Sequence, residues 1–116
     1  MIHRIIPNLN VADAGTGHDF YTGFLGLQKD LDLGWIASFR SPHAPAAQVS
    51  LVSGDATAPE NSVVSIKHSD VDAAYARARR MGFEIVHPLC DEPWGIRRFL
   101  VRDPHGNVIN ISRNVD

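Results

Sequence analysis

Six histidines, one cysteine and two tryptophans are the residues of this 116-residue chain whose types most directly suggest chemistry. His3, His18, His43, His68, His87 and His105 never stand two or four positions apart. No single strand or helix therefore presents two imidazoles to one ion, and no local metal-binding pair is expected. Cys90 alone cannot close an internal disulfide or build a thiolate cluster. It reads as an inert thiol in a loop before Trp94. The chain has no G-x-S-x-G nucleophile turn and no phosphate-cradling P-loop. Gly15-Thr16-Gly17 lacks the third glycine of G-x-G-x-x-G.

What remains is binding chemistry. Trp35 opens a candidate strand, and Phe39 shares its face at period two. Trp94 stands just before another candidate strand. In a cleft, such side chains hold flat rings by stacking and burial. The competing reading makes Trp35 a core residue and Trp94-Gly95 a packing element. Arg97 and Arg98 follow Trp94, and alternation turns one of them inward; Arg98 is the candidate. Arg40 has the opposite parity to Trp35 and is left out.

Composition narrows the partners. Eleven Lys and Arg against 13 Asp and Glu give a net charge of −2, too little basic surface for nucleic acid as the main partner. The one dense basic run, Arg77, Arg79 and Arg80, scatters around a helix. No apolar run approaches the roughly 20 residues that span a bilayer. The opening residues do not read as a signal peptide, so a cytoplasmic protein is expected. A hydrophobic content of 44% and a charged content of 21% fit one ordered domain over residues 1–116.

The elements that must position these residues follow from periodicity. Ile5 to Val11 alternates, with Ile5, Pro7, Leu9 and Val11 on one face and Ile6, Asn8 and Asn10 on the other. Asp13 is placed to cap a helix ending near Phe24, which Gly15, Gly17 and Gly23 make poor by propensity, and Gly26 stops it. Leu27 to Asp32, Trp35 to Arg40 and Gln48 to Val52 read as strands. Residues 54–61 form a polar connector. Ser62 to His68 alternates again, with Ser65 and Lys67 opposite Val64 and Ile66. Ser69 is the expected N-cap of a helix whose stripe is Val71, Ala74, Tyr75, Ala78 and Met81. Phe83 to His87, Arg97 to Arg102 and Asn107 to Arg113 complete the strands, the last two joined by Pro104-His105-Gly106-Asn107.

Strand, helix and three strands thus occur twice, and Leu25-Gly26-Leu27 returns as Met81-Gly82-Phe83. The order predicts an α+β domain of two paired βαβββ modules, residues 1–53 and 62–116.

Val11-Ala12-Asp13 with Phe20-Tyr21 and Leu25-Gly26-Leu27, then Trp94-Gly95, Arg98-Phe99 and Asp103-Pro104-His105-Gly106-Asn107, resemble the vicinal oxygen chelate superfamily. That group includes glyoxalase I, bleomycin resistance proteins and extradiol dioxygenases. The resemblance implies a curved sheet around a cleft, with Asn8, Asn10, Ser65 and Lys67 on the concave side and Leu9, Val11, Val64 and Ile66 toward the helices. It also implies where metal ligands stand: one His, Gln or Glu on the first and last strand of each module. Counted from Asp13 and Asp70, those positions hold Ile6 and Val63. The last-strand position holds Asn110, and its first-module counterpart falls near Ser50, with Gln48 one inward step away. These side chains do not suit a divalent ion.

The expectation is therefore a binding protein with no metal and no cofactor, taking a small, partly aromatic, antibiotic-like molecule, as a homodimer. Its ligand-binding residues would be Asn8, Asn10, Trp35, Phe39, Ser65, Lys67, Trp94, Arg98 and Asn110. The alternative is a metal-dependent lyase, isomerase or dioxygenase of the same superfamily with displaced ligands.

Overall fold

The computed structural model describes residues 1–115; Asp116, the last residue of the expected second module, lies outside them. The chain is α+β. Its strands are β1 (Ile2–Asn10), β2 (Gln28–Asp32), β3 (Ile36–Arg40), β4 (Gln48–Val52), β5 (Val64–His68), β6 (Ile85–Glu92), β7 (Ile96–Arg102) and β8 (Val108–Asn114). A short π-helical segment, His18–Phe24, follows β1, and helix α1 (Val71–Arg80) follows β5. The strands form one curved, open sheet in the order β2-β3-β4-β1-β5-β8-β7-β6. Each half carries a parallel first–last pair, β1 with β4 and β5 with β8. The antiparallel β1–β5 pair joins the halves.

Two capping expectations change. Asp13 does not cap a helix. Its carboxylate accepts from the Gly15 backbone N–H at 2.8 Å, an Asx turn of the kind Asp favours in loops. The helical segment starts only after Gly15 and Gly17, whose backbone freedom disfavours helix. At α1 the cap is Asp70, which accepts from the Ala73 N–H at 3.1 Å. Ser69 instead accepts from the Met1 ammonium at 2.9 Å.

One core sits behind β3 and β4, where Ala14, Ala37, Phe39 and Leu51 are buried together. Tyr21 stacks on Phe39 with ring centroids 5.2 Å apart. In the second half Val71 and Phe99 are buried, and Tyr75 packs on Phe99. The helices leave the middle of β1 uncovered: α1 packs on β6, β7 and β8, and the π-helical segment on β2 and, through Tyr21, on Phe39 of β3. The expected parity of β1 holds, but the helix cover expected on its outer face does not. Leu9 does not face a helix; it is 43% exposed, and Ile5 is 58% exposed, while Ile6 and Asn8 are buried on the concave side.

Candidate functional site

The concave face forms a cleft of about 100 Å³ between the two halves. Alternation along the strands builds its walls. Ile6 and Asn8 of β1, Gln48 and Ser50 of β4, Ser65 and Lys67 of β5, and Asn110 and Ser112 of β8 all point in. The floor is polar and neutral. Asn8 Nδ2 donates to Ser62 Oγ at 3.0 Å and Ser65 Oγ at 2.9 Å, and Asn110 Nδ2 donates to Ser65 Oγ at 3.0 Å. Ser38 and Ser50 share a 2.6 Å hydrogen bond. Asn8 Oδ1, Asn110 Oδ1 and Ser112 Oγ are buried with no hydrogen-bond partner among the described residues.

Trp35 and Trp94 line the same cleft and meet edge-to-face, ring centroids 5.2 Å apart. Trp94 stands in the turn between β6 and β7. Gly95, at φ +83°, closes that turn in a backbone region that favours glycine. The Arg98 guanidinium lies 5.1 Å from the Trp94 ring, a cation–π contact.

Arg98 is not a free cation. Its Nε donates to Glu92 at 2.6 Å, and its terminal nitrogens donate to both oxygens of Asp55 at 2.8 Å. All three side chains are buried. Burial pushes the Asp55 carboxyl up, but hydrogen bonds from Arg98 and the Thr57 backbone more than offset that and leave it below the usual range. Glu92 behaves alike: burial raises it, and hydrogen bonds from Thr57 and Arg98 bring it below. Arg98 thus ties the connector to the second half, a role that sequence spacing did not reveal.

Of the nine expected binding residues, the cleft brings together Asn8, Trp35, Ser65, Lys67, Trp94, Arg98 and Asn110. Phe39 is a correction. The strand begins at Ile36, so Trp35 stands outside the ladder and does not share its parity with Phe39. Ile36 and Ser38 line the cleft, and Phe39 faces the core. Asn10 is the other: it sits exposed at the end of β1, beyond the cleft.

Sheet register also refines the ligand positions that the resemblance implies. Ile6 pairs with Ser65, and Ser65 with Asn110. The β1–β4 register, Asn8 opposite Ser50, sets Gln48 beside Ile6. The four converging positions are therefore Ile6, Gln48, Ser65 and Asn110; Val63 is 38% exposed and outside the cleft. None carries an imidazole or carboxylate, so the donor set does not fit a divalent ion.

A second donor group exists where none was expected. His87, Cys90 and Glu92 converge, with His87 Nε2 3.4 Å from Cys90 Sγ and 3.3 Å from Glu92 Oε2. On a regular strand, residues 87 and 90 would face opposite ways; register shifts in β6 turn them together. Yet Glu92 Oε2 already accepts from Arg98 and Thr57, so a cation there would meet a guanidinium. Burial, then the Glu92 charge, pushes the Cys90 thiol up, the opposite of an activated nucleophile.

The sequence matches the profile of the Glyoxalase/Bleomycin resistance protein/Dioxygenase superfamily over residues 2–111. The chain belongs to that superfamily. The fold agrees with solved members. A glyoxalase/bleomycin resistance protein/dioxygenase superfamily member from Vibrio splendidus 12B01 superposes with TM-score 0.68 at 16% identity, covering 98% of this chain and 100% of that one. A Legionella pneumophila structure described as an NAD-dependent benzaldehyde dehydrogenase gives TM-score 0.72 at 16% identity, with 95% and 98% covered. The Mn(II)-bound glyoxalase from Novosphingobium aromaticivorans gives TM-score 0.66 at 23% identity, covering 98% of this chain but 38% of that one. No curated protein matches the sequence. As a superfamily member, the chain carries no helix among the described residues that is long and apolar enough to cross a membrane.

Proposed function

We propose that this protein is a metal-free binding protein that holds a small, partly aromatic molecule in the cleft, as a cytoplasmic homodimer. The observation that carries the reading is the Trp35–Trp94 pair over a neutral amide and hydroxyl floor. The indoles supply stacking surface. Asn8 Oδ1 and Asn110 Oδ1, buried and unpartnered, would accept hydrogen bonds from N–H or O–H groups of the ligand, which relieves the cost of burying them. A cleft of about 100 Å³ suits a single ring with small substituents, or one ring of a larger antibiotic-like molecule, because drug-sized sites run to roughly 300–1,000 Å³.

The alternative, metal-dependent chemistry with displaced ligands, would have to use His87, Cys90 and Glu92. Those residues do not line the cleft, and Arg98 occupies the carboxylate. The test is tryptophan fluorescence with benzamide, phenol and indole as probes. Saturable quenching that weakens in Trp35→Ala is expected; no saturable change with any of them overturns the reading.

A further inference from the structure

Beside the cleft lies a pocket of about 250 Å³ lined by His3, Arg4, Lys67, His68 and Arg113. Lys67 lines both spaces, so the two adjoin at its side chain. Among the described residues the pocket's lining contains no carboxylate. Arg4 and Lys67 stand directly opposite each other in the β1–β5 ladder, and like charges so placed destabilise a sheet. Neither is neutralised among the described residues. Arg4 donates to the Gln48 amide at 2.9 Å and Lys67 to the Asn114 amide at 3.3 Å. Asp72, which feels the Arg113 charge, is held by Arg97 at 2.6 Å. In a chain whose net charge is −2, this concentration of unmatched positive charge is a local departure.

We propose that the ligand carries an oxyanion, a carboxylate or phosphate, that docks between Arg4 and Lys67 while its body enters the cleft; the second clause rests on the binding reading above. An anion there would convert a repulsive pair into a two-pronged clamp, with charge-assisted hydrogen bonds from the guanidinium and the ammonium. Burial, and then the Arg4 charge, lower the Lys67 pKa in the empty protein. The second effect is the repulsion that an anion between the two would relieve. A folded protein that retains such a conflict marks a functional position.

Inorganic phosphate, benzoate and neutral benzamide separate the possibilities, read by thermal melting and tryptophan fluorescence at constant ionic strength. Phosphate and benzoate should raise the melting temperature of the wild type, and benzoate should bind at least tenfold more tightly than benzamide. Arg4→Gln and Lys67→Met should each weaken phosphate binding at least tenfold, while the free variants melt no lower than wild type because the repulsion is gone. That second readout excludes a variant that merely unfolds. Benzamide quenching with no advantage for benzoate overturns the anion site and leaves the cleft reading standing. Phosphate binding lost in both variants, with no quenching by either ring compound, supports the anion site and counts against the cleft reading. Unchanged phosphate binding in both variants overturns the proposal.

Discussion

Trp94 meets Trp35 edge-to-face, their planes inclined at 68°, and so brings an indole from each half of the chain to one cleft. The pose of Trp94 is not left to that contact alone. Arg98 lies over its ring, and Arg98 is itself fixed by Asp55 from the connector and Glu92 from β6. A buried ion-pair network therefore orients one wall of the cleft.

Replacing Trp35 by Ala should weaken ring binding by about 1–3 kcal/mol, the scale of burying or stacking one large aromatic. That corresponds to a loss of roughly 5- to 150-fold in affinity. Stability should fall less than for a core aromatic, because Trp35 is only half-buried. Fluorescence titration of Trp94 and denaturant melts check both halves. A loss of several kcal/mol in stability would make Trp35 a core residue.

Phe39→Ala should show the reverse pattern. Phe39 is 2% exposed and packs against Tyr21, Ala37 and Leu51. Its truncation should cost about 3–5 kcal/mol of stability. Once folded, the variant should bind cleft ligands within a few-fold of wild type. Urea denaturation and the same titration measure the two effects.

These two residues show what the sequence disclosed. Strand positions were legible because alternation and turn residues are local signals; Gln48 to Val52 is β4 to the residue. Parity was legible wherever the residue stayed in the ladder, as at Ser65 and Lys67. Trp35 fails that condition by one position, and a one-residue slip reverses a side chain. His87 and Cys90 were unreadable together because irregular register re-aims them. The Arg98 clamp and the Arg4–Lys67 pair depend on contacts between segments far apart in sequence, which spacing alone cannot supply.

Acid should dismantle the Arg98 network. Asp55 and Glu92 have folded pKa values below the ordinary range, so the folded state binds their protons less readily than the unfolded chain. Their stabilisation is complete above the unfolded carboxylate pKa, about 4, and is lost as pH falls through the lower folded values. Melting temperature should drop steeply below about pH 4. Arg98→Met leaves two buried carboxylates unpaired and should cost about 3–5 kcal/mol near neutral pH. In that variant, mild acidification should raise stability, since protonation removes the stranded charges. Melts from pH 3 to 7 on both proteins test the sign.

Metal should neither copurify nor matter to binding. Ile6, Gln48, Ser65 and Asn110 offer no charged donor. Elemental analysis after dialysis against a chelator should give well below one equivalent of Zn, Ni, Mn or Fe per chain. The probe affinities should be the same before and after dialysis. Near-stoichiometric metal that survives dialysis would overturn this prediction and favour the enzymatic alternative.

The middle of the outer sheet face bears on assembly. Ile5 is 58% and Leu9 43% exposed on β1, because α1 packs on β6 to β8 and the π-helical segment on β2 and β3, which leaves the middle of β1 bare. Apolar side chains aligned along a central strand mark an interaction surface more often than isolated exposed ones do. A second copy of the chain is the expected cover, and two-fold pairing would bury the same strip on both partners. Sedimentation at micromolar protein should give twice the 12.7 kDa chain mass. Leu9→Glu should shift the protein toward monomer, since a carboxylate buried at such a seam is costly without a partner. On the monomer it would sit in solvent and leave the fold intact. A wild type that sediments as a monomer at every concentration, or a Leu9→Glu variant that stays dimeric, shows that this strip is not the interface.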